Sequence, residues 1–199
     1  MSKLSAQKIN LQLPDSDISY FPKFLNTTEA DHLFKVLRDT TPWKQDTITV
    51  YGKTYPQPRL TVLFGDNNKP YSYSNITMNP IMFSTDLLAL RDKLQMEAGI
   101  HFTSCLLNLY RDGKDSNGWH ADDEKALGKN PIIASISLGQ ERFFHLKHKS
   151  VKELKHKLIL EHGSLLLMKG KTQHRWYHQI PKTTKPINER INITFRVIK

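Results

Sequence analysis

From residue 100 onward the chain reads as one short strand after another, and that run constrains the fold more than anything else in the sequence. Residues 102–110, 132–138, 142–147, 157–161, 164–168, 176–180 and 190–198 are rich in β-branched, aromatic and alternating apolar positions, with Gly, Pro and polar turns between them. Strands of this length and spacing predict a sandwich or barrel. Two upstream segments carry a helical period instead. In the first, Thr27-Thr28-Glu29 supply a cap and an acidic first turn before Ala30, Leu33, Phe34 and Leu37. In the second, Ser84 caps a stripe of Leu87, Leu90 and Leu94, with Asp86 early and Gly99 as the stop. Residues 47–51 and 59–64 add β pattern around a turn at Gly52. The expected fold is α+β, with the N-terminal helices buttressing one face of a sheet. No internal repeat or Ser/Gly-rich linker divides the chain.

The last strand carries the first functional signal. Ile191, Ile193, Phe195 and Val197 share one face, and Arg190, Asn192, Thr194 and Arg196 share the other. A solvent-facing side would account for this by itself. Residues 102–110 weigh against it, because that strand is apolar on nearly both faces and therefore central. Asn108 and Tyr110 would then be buried polar groups, each needing a partner. A ligand carrying carboxylates would satisfy them together with two arginines, whose planar forks bind carboxylate bidentately.

Between these strands lies Trp119-His120-Ala121-Asp122-Asp123-Glu124. His-x-Asp at a strand end puts imidazole and carboxylate on one side, within reach of one metal. His174 and His178, in His-Arg-Trp-Tyr-His, are the two candidates for a third ligand. Two His and one carboxylate leave coordination positions open, as in non-haem Fe(II) oxygenases, whereas structural zinc is usually closed and four-coordinate. His101, His145, His148, His156 and His162 read as surface or loop histidines.

Taken together, Asn108-Leu-Tyr110, Trp119-His-x-Asp-Asp-Glu124, Trp176-Tyr-His178 and Arg190-x-Asn-x-Thr-Phe-Arg196 resemble the AlkB family of Fe(II)- and 2-oxoglutarate-dependent dioxygenases. Pro58-Arg-Leu-Thr61 and Tyr71-Ser-Tyr-Ser74 extend the likeness upstream, over roughly residues 18 to 198. Within the family it is most similar to the nucleic-acid repair demethylases of the human homologue two and three type. The resemblance implies a double-stranded β-helix (jelly roll) with a metal at its open mouth. It implies a tail over 1–17 and one domain over 18–199, with nucleotide-recognition hairpins at about 45–75 and the jelly-roll core at about 100–198. It selects His178 as third ligand beside His120 and Asp122, leaving His174 as a neighbour. It assigns Asn108, Tyr110, Arg190, Asn192, Thr194 and Arg196 to 2-oxoglutarate, with Arg190 on the distal carboxylate and Arg196 on the one that chelates iron. The implied cofactors are Fe(II), 2-oxoglutarate and O₂. The implied reaction is oxidative demethylation of bases of the 1-methyladenine and 3-methylcytosine type, releasing formaldehyde and succinate.

Charge narrows the substrate. Lys and Arg number 29 against 19 Asp and Glu, a net +10, which points to an anionic partner. With no run of apolar residues long enough to span a bilayer and no basic amphipathic helix, alkylated DNA or RNA is preferred to a membrane. Asp123 and Glu124 would accept hydrogen bonds from the exocyclic amine of a cationic base, or act as solvated acids paired with Lys125. A base must leave the stack to reach the metal; Tyr71, Tyr73 and Trp119 are candidate stacking surfaces, although Trp119 could instead pack beneath its strand. Tyr51 is a candidate wedge, and Arg59 would touch a base or a phosphate. Lys147, Lys149, Lys152, Lys155 and Lys157 form a phosphate rail or a solvated surface. A single cysteine and no apolar leader lead us to expect a cytoplasmic or nuclear monomer. The competing readings are a 2-oxoglutarate oxygenase of protein or small molecules and an inactive β-barrel binding module, which would lack a metal ligand.

Overall fold

The computed structural model describes residues 7–50, 52–67, 70–73 and 76–199. Its elements are β1 (Ile9–Leu11), β2 (Asp17–Phe21), α1 (Thr27–Thr40), β3 (Thr47–Val50), β4 (Lys53–Pro56), β5 (Leu60–Gly65), β6 (Tyr71–Tyr73), β7 (Ile76–Met78) and β8 (Ile81–Met82). There follow α2 (Thr85–Ala98), β9 (Ser104–Tyr110), β10 (Asn117–His120), β11 (Ile133–Gly139), β12 (Arg142–His148), β13 (Lys155–Leu160), β14 (Ser164–Lys169), α3 (Thr172–Arg175), β15 (Trp176–Ile180) and β16 (Arg190–Arg196). An eight-stranded sheet in the order β1-β2-β14-β11-β16-β9-β5-β8 packs against a four-stranded sheet, β10-β15-β12-β13. This is the expected jelly roll.

The alternation within the strands builds two cores. One face of the large sheet, including Val62, Leu107, Ile136, Leu165 and Ile193, packs against Leu33 and Leu37 of α1 and Leu87, Leu90 and Leu94 of α2. Its other face meets the small sheet through Leu63, Leu106, Ile133, Leu166 and Met168 on one side and Phe144, Leu146, Trp176 and Ile180 on the other. Strand β16 is central, paired with β11 and β9, and every residue of it is buried. Its polar face therefore looks into the space between the sheets. A solvent face is ruled out.

Three local details differ from the sequence reading. The cap of α1 is Asn26: its side chain accepts from the Glu29 backbone N–H while Glu29 reaches back to the Asn26 N–H, both at 2.9 Å. Such a reciprocal box satisfies two end donors, which Thr27 cannot do from inside the helix. Ile9–Leu11, within the segment read as tail, adds an edge strand to β2; three residues are too short for periodicity to announce. His148 is no surface histidine. It is buried at 6 % exposure, its Nδ1 accepts from the backbone N–H groups of Ser150 and Val151, and its ring abuts Trp176. The second helix agrees with expectation: Ser84 accepts from Leu87 N–H, and Gly99 ends it at φ +70°, a left-handed conformation that favours glycine. Strands β3 and β4 form the expected hairpin around Gly52, and β6 pairs with β7.

Candidate metal and co-substrate site

Three side chains that could hold a metal converge at the mouth between the sheets. His120 ends β10, Asp122 follows it by two residues, and His178 lies opposite His120 in the β10–β15 pairing. Their ligand atoms lie within 4.8 Å of one another. The register explains the convergence: two histidines on paired antiparallel strands face the same side, and their rings sit 4.2 Å apart, centre to centre. Phe144 stacks on His178 at 5.2 Å and closes the apolar side.

The electrostatics suit a cation. Burial works to raise the Asp122 carboxyl, but Arg196, His178 and His120 together hold it below its ordinary value. Burial pushes His178 down to about 3, aided by His120 and opposed by Asp122. Burial also lowers His120, against the pull of Asp122 and the Gly118 carbonyl. At neutral pH the set is two neutral imidazoles and one carboxylate, the form that metals bind. The bonding around His120 fixes its tautomer. Nδ1 lies 2.7 Å from the Gly118 carbonyl, so it carries the proton, while Nε2 accepts from the Asn117 amide at 3.2 Å. The Nε2 lone pair is thus held by an amide donor that a metal at this nitrogen would displace.

Arg196 and Gln173 support Asp122. Arg196 donates from Nη2 to the Asp122 carboxylate, so its first partner is the metal ligand itself, a role the sequence did not reveal. Gln173, on α3, accepts the Asp122 backbone N–H at 2.9 Å and is almost fully buried. No spacing rule would have found it, because contact depends on how α3 packs.

A small cleft, with about 40 Å³ of free space, runs inward from the triad. The six residues assigned to 2-oxoglutarate all line it. Its amides satisfy one another more than expected. Asn108 accepts from Arg59 Nε at 2.8 Å and donates to Asn192 at 3.4 Å. Asn192 in turn donates to Ser135 and to the Ile136 carbonyl and accepts from Thr194. Arg190 is different. It is 1 % exposed, donates from Nη2 to Ser137 at 2.8 Å, and its Nε and Nη1 have no hydrogen-bond partner among the described residues. Burial draws it down to about 10; the Tyr110 hydroxyl opposes the shift and Arg142 adds to it. A buried guanidinium with idle donors fits an anionic ligand, carboxylate above all. The donor set and this arginine therefore fit Fe(II) held by His120, Asp122 and His178, with 2-oxoglutarate reaching Arg190.

The remaining expected residues spread over several environments. His174 is exposed, accepts the Asn130 N–H and is not among the clustered ligand atoms. Arg59 is 4 % exposed and bonds inward to Asn108 and to the Ser116 carbonyl, which leaves an outer phosphate beyond its reach. Trp119 is 40 % exposed with Lys147 Nζ 4.3 Å from its ring centre, so it does not pack beneath its strand. Asp123 is exposed and pairs with Lys149 at 2.8 Å, not with Lys125. Glu124 is half-buried. Tyr71 and Tyr73 lie on β6. Tyr51 falls outside the described residues.

The comparisons with known proteins agree with this geometry. Residues 17–196 match the family model described as the 2OG-Fe(II) oxygenase superfamily. The chain is 41% identical over 192 residues to human alpha-ketoglutarate-dependent dioxygenase alkB homolog 3, covering 92% of this chain and 66% of that protein. It thus spans just under two thirds of that relative's length. It is 35% identical over 192 residues to human DNA oxidative demethylase ALKBH2, covering 92% of this chain and 73% of that one. The solved structure of OsALKBH1 superposes with a TM-score of 0.66 at 17% identity, over 96% of this chain and all of that one, a likeness of fold. With its buried His-Asp-His mouth, its arginine-lined interior and a family match along nearly its whole length, the chain belongs to the 2OG-Fe(II) oxygenase superfamily, among the AlkB-type dioxygenases.

Proposed function

We propose that this chain removes N-methyl groups from cationic bases of the 1-methyladenine and 3-methylcytosine type in DNA, and in RNA, by oxidation coupled to 2-oxoglutarate decarboxylation. One observation carries the nucleic-acid half of this reading. The two strands that turn His120 and His178 inward present Trp119 and Tyr177 on their outer side, both more than a third exposed. Lys147 lies 4.3 Å from the Trp119 ring centre and 5.7 Å from that of Tyr177, with Lys149 at 4.7 Å from the latter. Rings that stack on bases beside ammonium groups that meet phosphates are what a splayed strand requires. The net charge of +10 and the relatives named DNA oxidative demethylase support the same reading.

Bound Fe(II), with 2-oxoglutarate and O₂, supplies the hydroxylating power, and 2-oxoglutarate leaves as succinate and CO₂. The chain's residues do the rest. His120, Asp122 and His178 hold the metal, and Arg196 keeps Asp122 ionised and oriented. Arg190 takes the distal carboxylate of the co-substrate, while Tyr110 and the amides of Asn108 and Asn192 shape the cleft. Glu124 and Asp123 receive the exocyclic amine of a positively charged base, which separates it from the neutral parent. Arg59 meets that base from inside. Once hydroxylated, the N-methyl group leaves as formaldehyde: the N–C bond breaks, its electron pair stays on the ring nitrogen as the lone pair of the neutral base, and the hydroxyl proton passes to water.

Mass spectrometry of methylated DNA and RNA oligonucleotides incubated with protein, Fe(II) and 2-oxoglutarate tests the proposal. Loss of one CH₂ unit per repaired base is expected, with affinity falling steeply as salt rises. Unchanged oligonucleotides alongside steady 2-oxoglutarate turnover on a protein or small molecule would favour the alternative oxygenase. No described helix is long and apolar enough to cross a membrane; a cytoplasmic or nuclear site of action and a monomeric state accord with the reading.

A further inference from the structure

A second buried arginine stands beside Arg190. Arg142, at the start of β12, is 4 % exposed and forms no ion pair among the described residues. Its guanidinium gathers three backbone carbonyls instead: Nη1 donates to Asp112 O at 3.2 Å, and Nη2 donates to Asp115 O at 3.0 Å and to Pro181 O at 2.7 Å. These carbonyls belong to two loops, the one after β9 and the one between β15 and β16. The loops are also joined directly: Thr183 N–H donates to Gly113 O at 2.8 Å, and a Cβ on Gly113 would come within 2.5 Å of Thr183 O.

The same guanidinium lies 5.7 Å from the Tyr110 ring centre, and that of Arg190 lies 5.2 Å from it. Tyr110 and Arg190 are partners across β9 and β16. One phenol ring thus stands beside two buried cations, one with idle donors facing the cleft and one spent entirely on loop carbonyls. Those carbonyls make the direct contacts to a charge that the Asp112 and Asp115 carboxylates only influence from a distance, Asp115 being paired with Arg111, and a buried charge held this way costs stability unless it is used.

We propose that Arg142 is the positioning residue of the distal-carboxylate subsite. By tying the two loops and lying against Tyr110, it holds Tyr110 and Arg190 in place and adds a second positive charge. The pocket thereby prefers a five-carbon dicarboxylate to ligands that have only the metal-chelating end. This rests on the reading that Arg190 receives the distal carboxylate.

The test is binding, not turnover. With Mn(II) supplied, calorimetry compares N-oxalylglycine, which has a chelating end and a distal carboxylate, with oxalate, which has the chelating end alone. Arg142→Gln is expected to lower the ratio of the two affinities about tenfold or more, leaving oxalate near its wild-type value. Arg142→Lys keeps the charge but not the planar fork and is expected to lower the ratio about threefold. If Arg142→Gln fails to melt cooperatively, the Lys variant carries the test by itself. A ratio unchanged in the folded variants, or both ligands weakened alike, overturns the proposal. Arg190→Met separates the two levels: if it leaves N-oxalylglycine binding intact, the distal-carboxylate reading itself fails. If Arg190→Met abolishes that binding while the Arg142 variants keep the wild-type ratio, only the role of Arg142 fails.

Discussion

Arg196, on the last strand of the large sheet, donates to the carboxylate of Asp122 at the rim of the small sheet, and both are almost wholly buried. The contact ties the two sheets together at the metal site. Removing one member leaves the other charge buried without compensation, a loss of about 3–5 kcal/mol. Arg196→Met should therefore lower metal-free stability by that order and reduce Mn(II) affinity about 10–100-fold through the disordered carboxylate. Denaturant unfolding and metal titration measure the two effects. Wild-type metal affinity in a folded Arg196→Met protein would show that Asp122 is oriented by other groups.

The two histidines of the His-Arg-Trp-Tyr-His segment should behave oppositely. His178→Ala removes a ligand of the triad and should abolish succinate production. His174→Ala removes an exposed ring that accepts one backbone N–H and should leave most of it. Comparable losses in both variants would contradict the ligand assignment.

How much of this could be read from the sequence depended on where the information resides. The polar face of β16 was legible because strict alternation separates two faces, and a central position could be inferred from the apolar run that became β9. His120 and Asp122 are two residues apart, so their proximity was local. Gln173 and Arg142 were not legible. Gln173 meets Asp122 across 51 residues, and the Arg142 carbonyl contacts span 27 to 39 residues. Contacts to backbone carbonyls leave no residue pattern to detect. Arg59 lay in a recognised segment, yet its inward direction follows from β5 pairing with β9, which sets Thr61 against Asn108.

The metal-free protein should lose stability in acid. Unfolded histidine titrates near 6.5, whereas burial holds His178 at about 3 and lowers His120 as well. Between those values the unfolded chain binds more protons, so stability falls with decreasing pH, by about 1.4 kcal/mol per unit for His178. Asp122, held below its ordinary value, adds loss of the same sign as it protonates. Each kcal/mol lowers the melting temperature by about 2–4 °C in a chain of this size. Thermal melts between pH 7.5 and 5 should record the decline, and His178→Ala should flatten it. A melting temperature that rose on acidification would be inconsistent with buried neutral imidazoles.

The acids beside the triad should act on the base and not on the metal. Glu124→Ala should reduce turnover of methylated oligonucleotide about tenfold or more, while substrate-independent decay of 2-oxoglutarate persists. Asp123→Ala should have the smaller effect, because Asp123 is exposed and already paired with Lys149. Equal losses in both activities would move these carboxylates from base recognition to metal support.

The central claim, an N-methyl oxidation on nucleic acid driven by this iron and co-substrate site, is tested most directly by measuring formaldehyde and succinate together. Fe(II)-loaded protein is given 2-oxoglutarate and a single-stranded oligonucleotide carrying 3-methylcytosine. The account predicts that, above the succinate formed without oligonucleotide, the two products rise in equal amounts, matching the bases repaired, and that neither rises in His178→Ala. Succinate formed without formaldehyde, at a rate that the methylated oligonucleotide does not change, would contradict it.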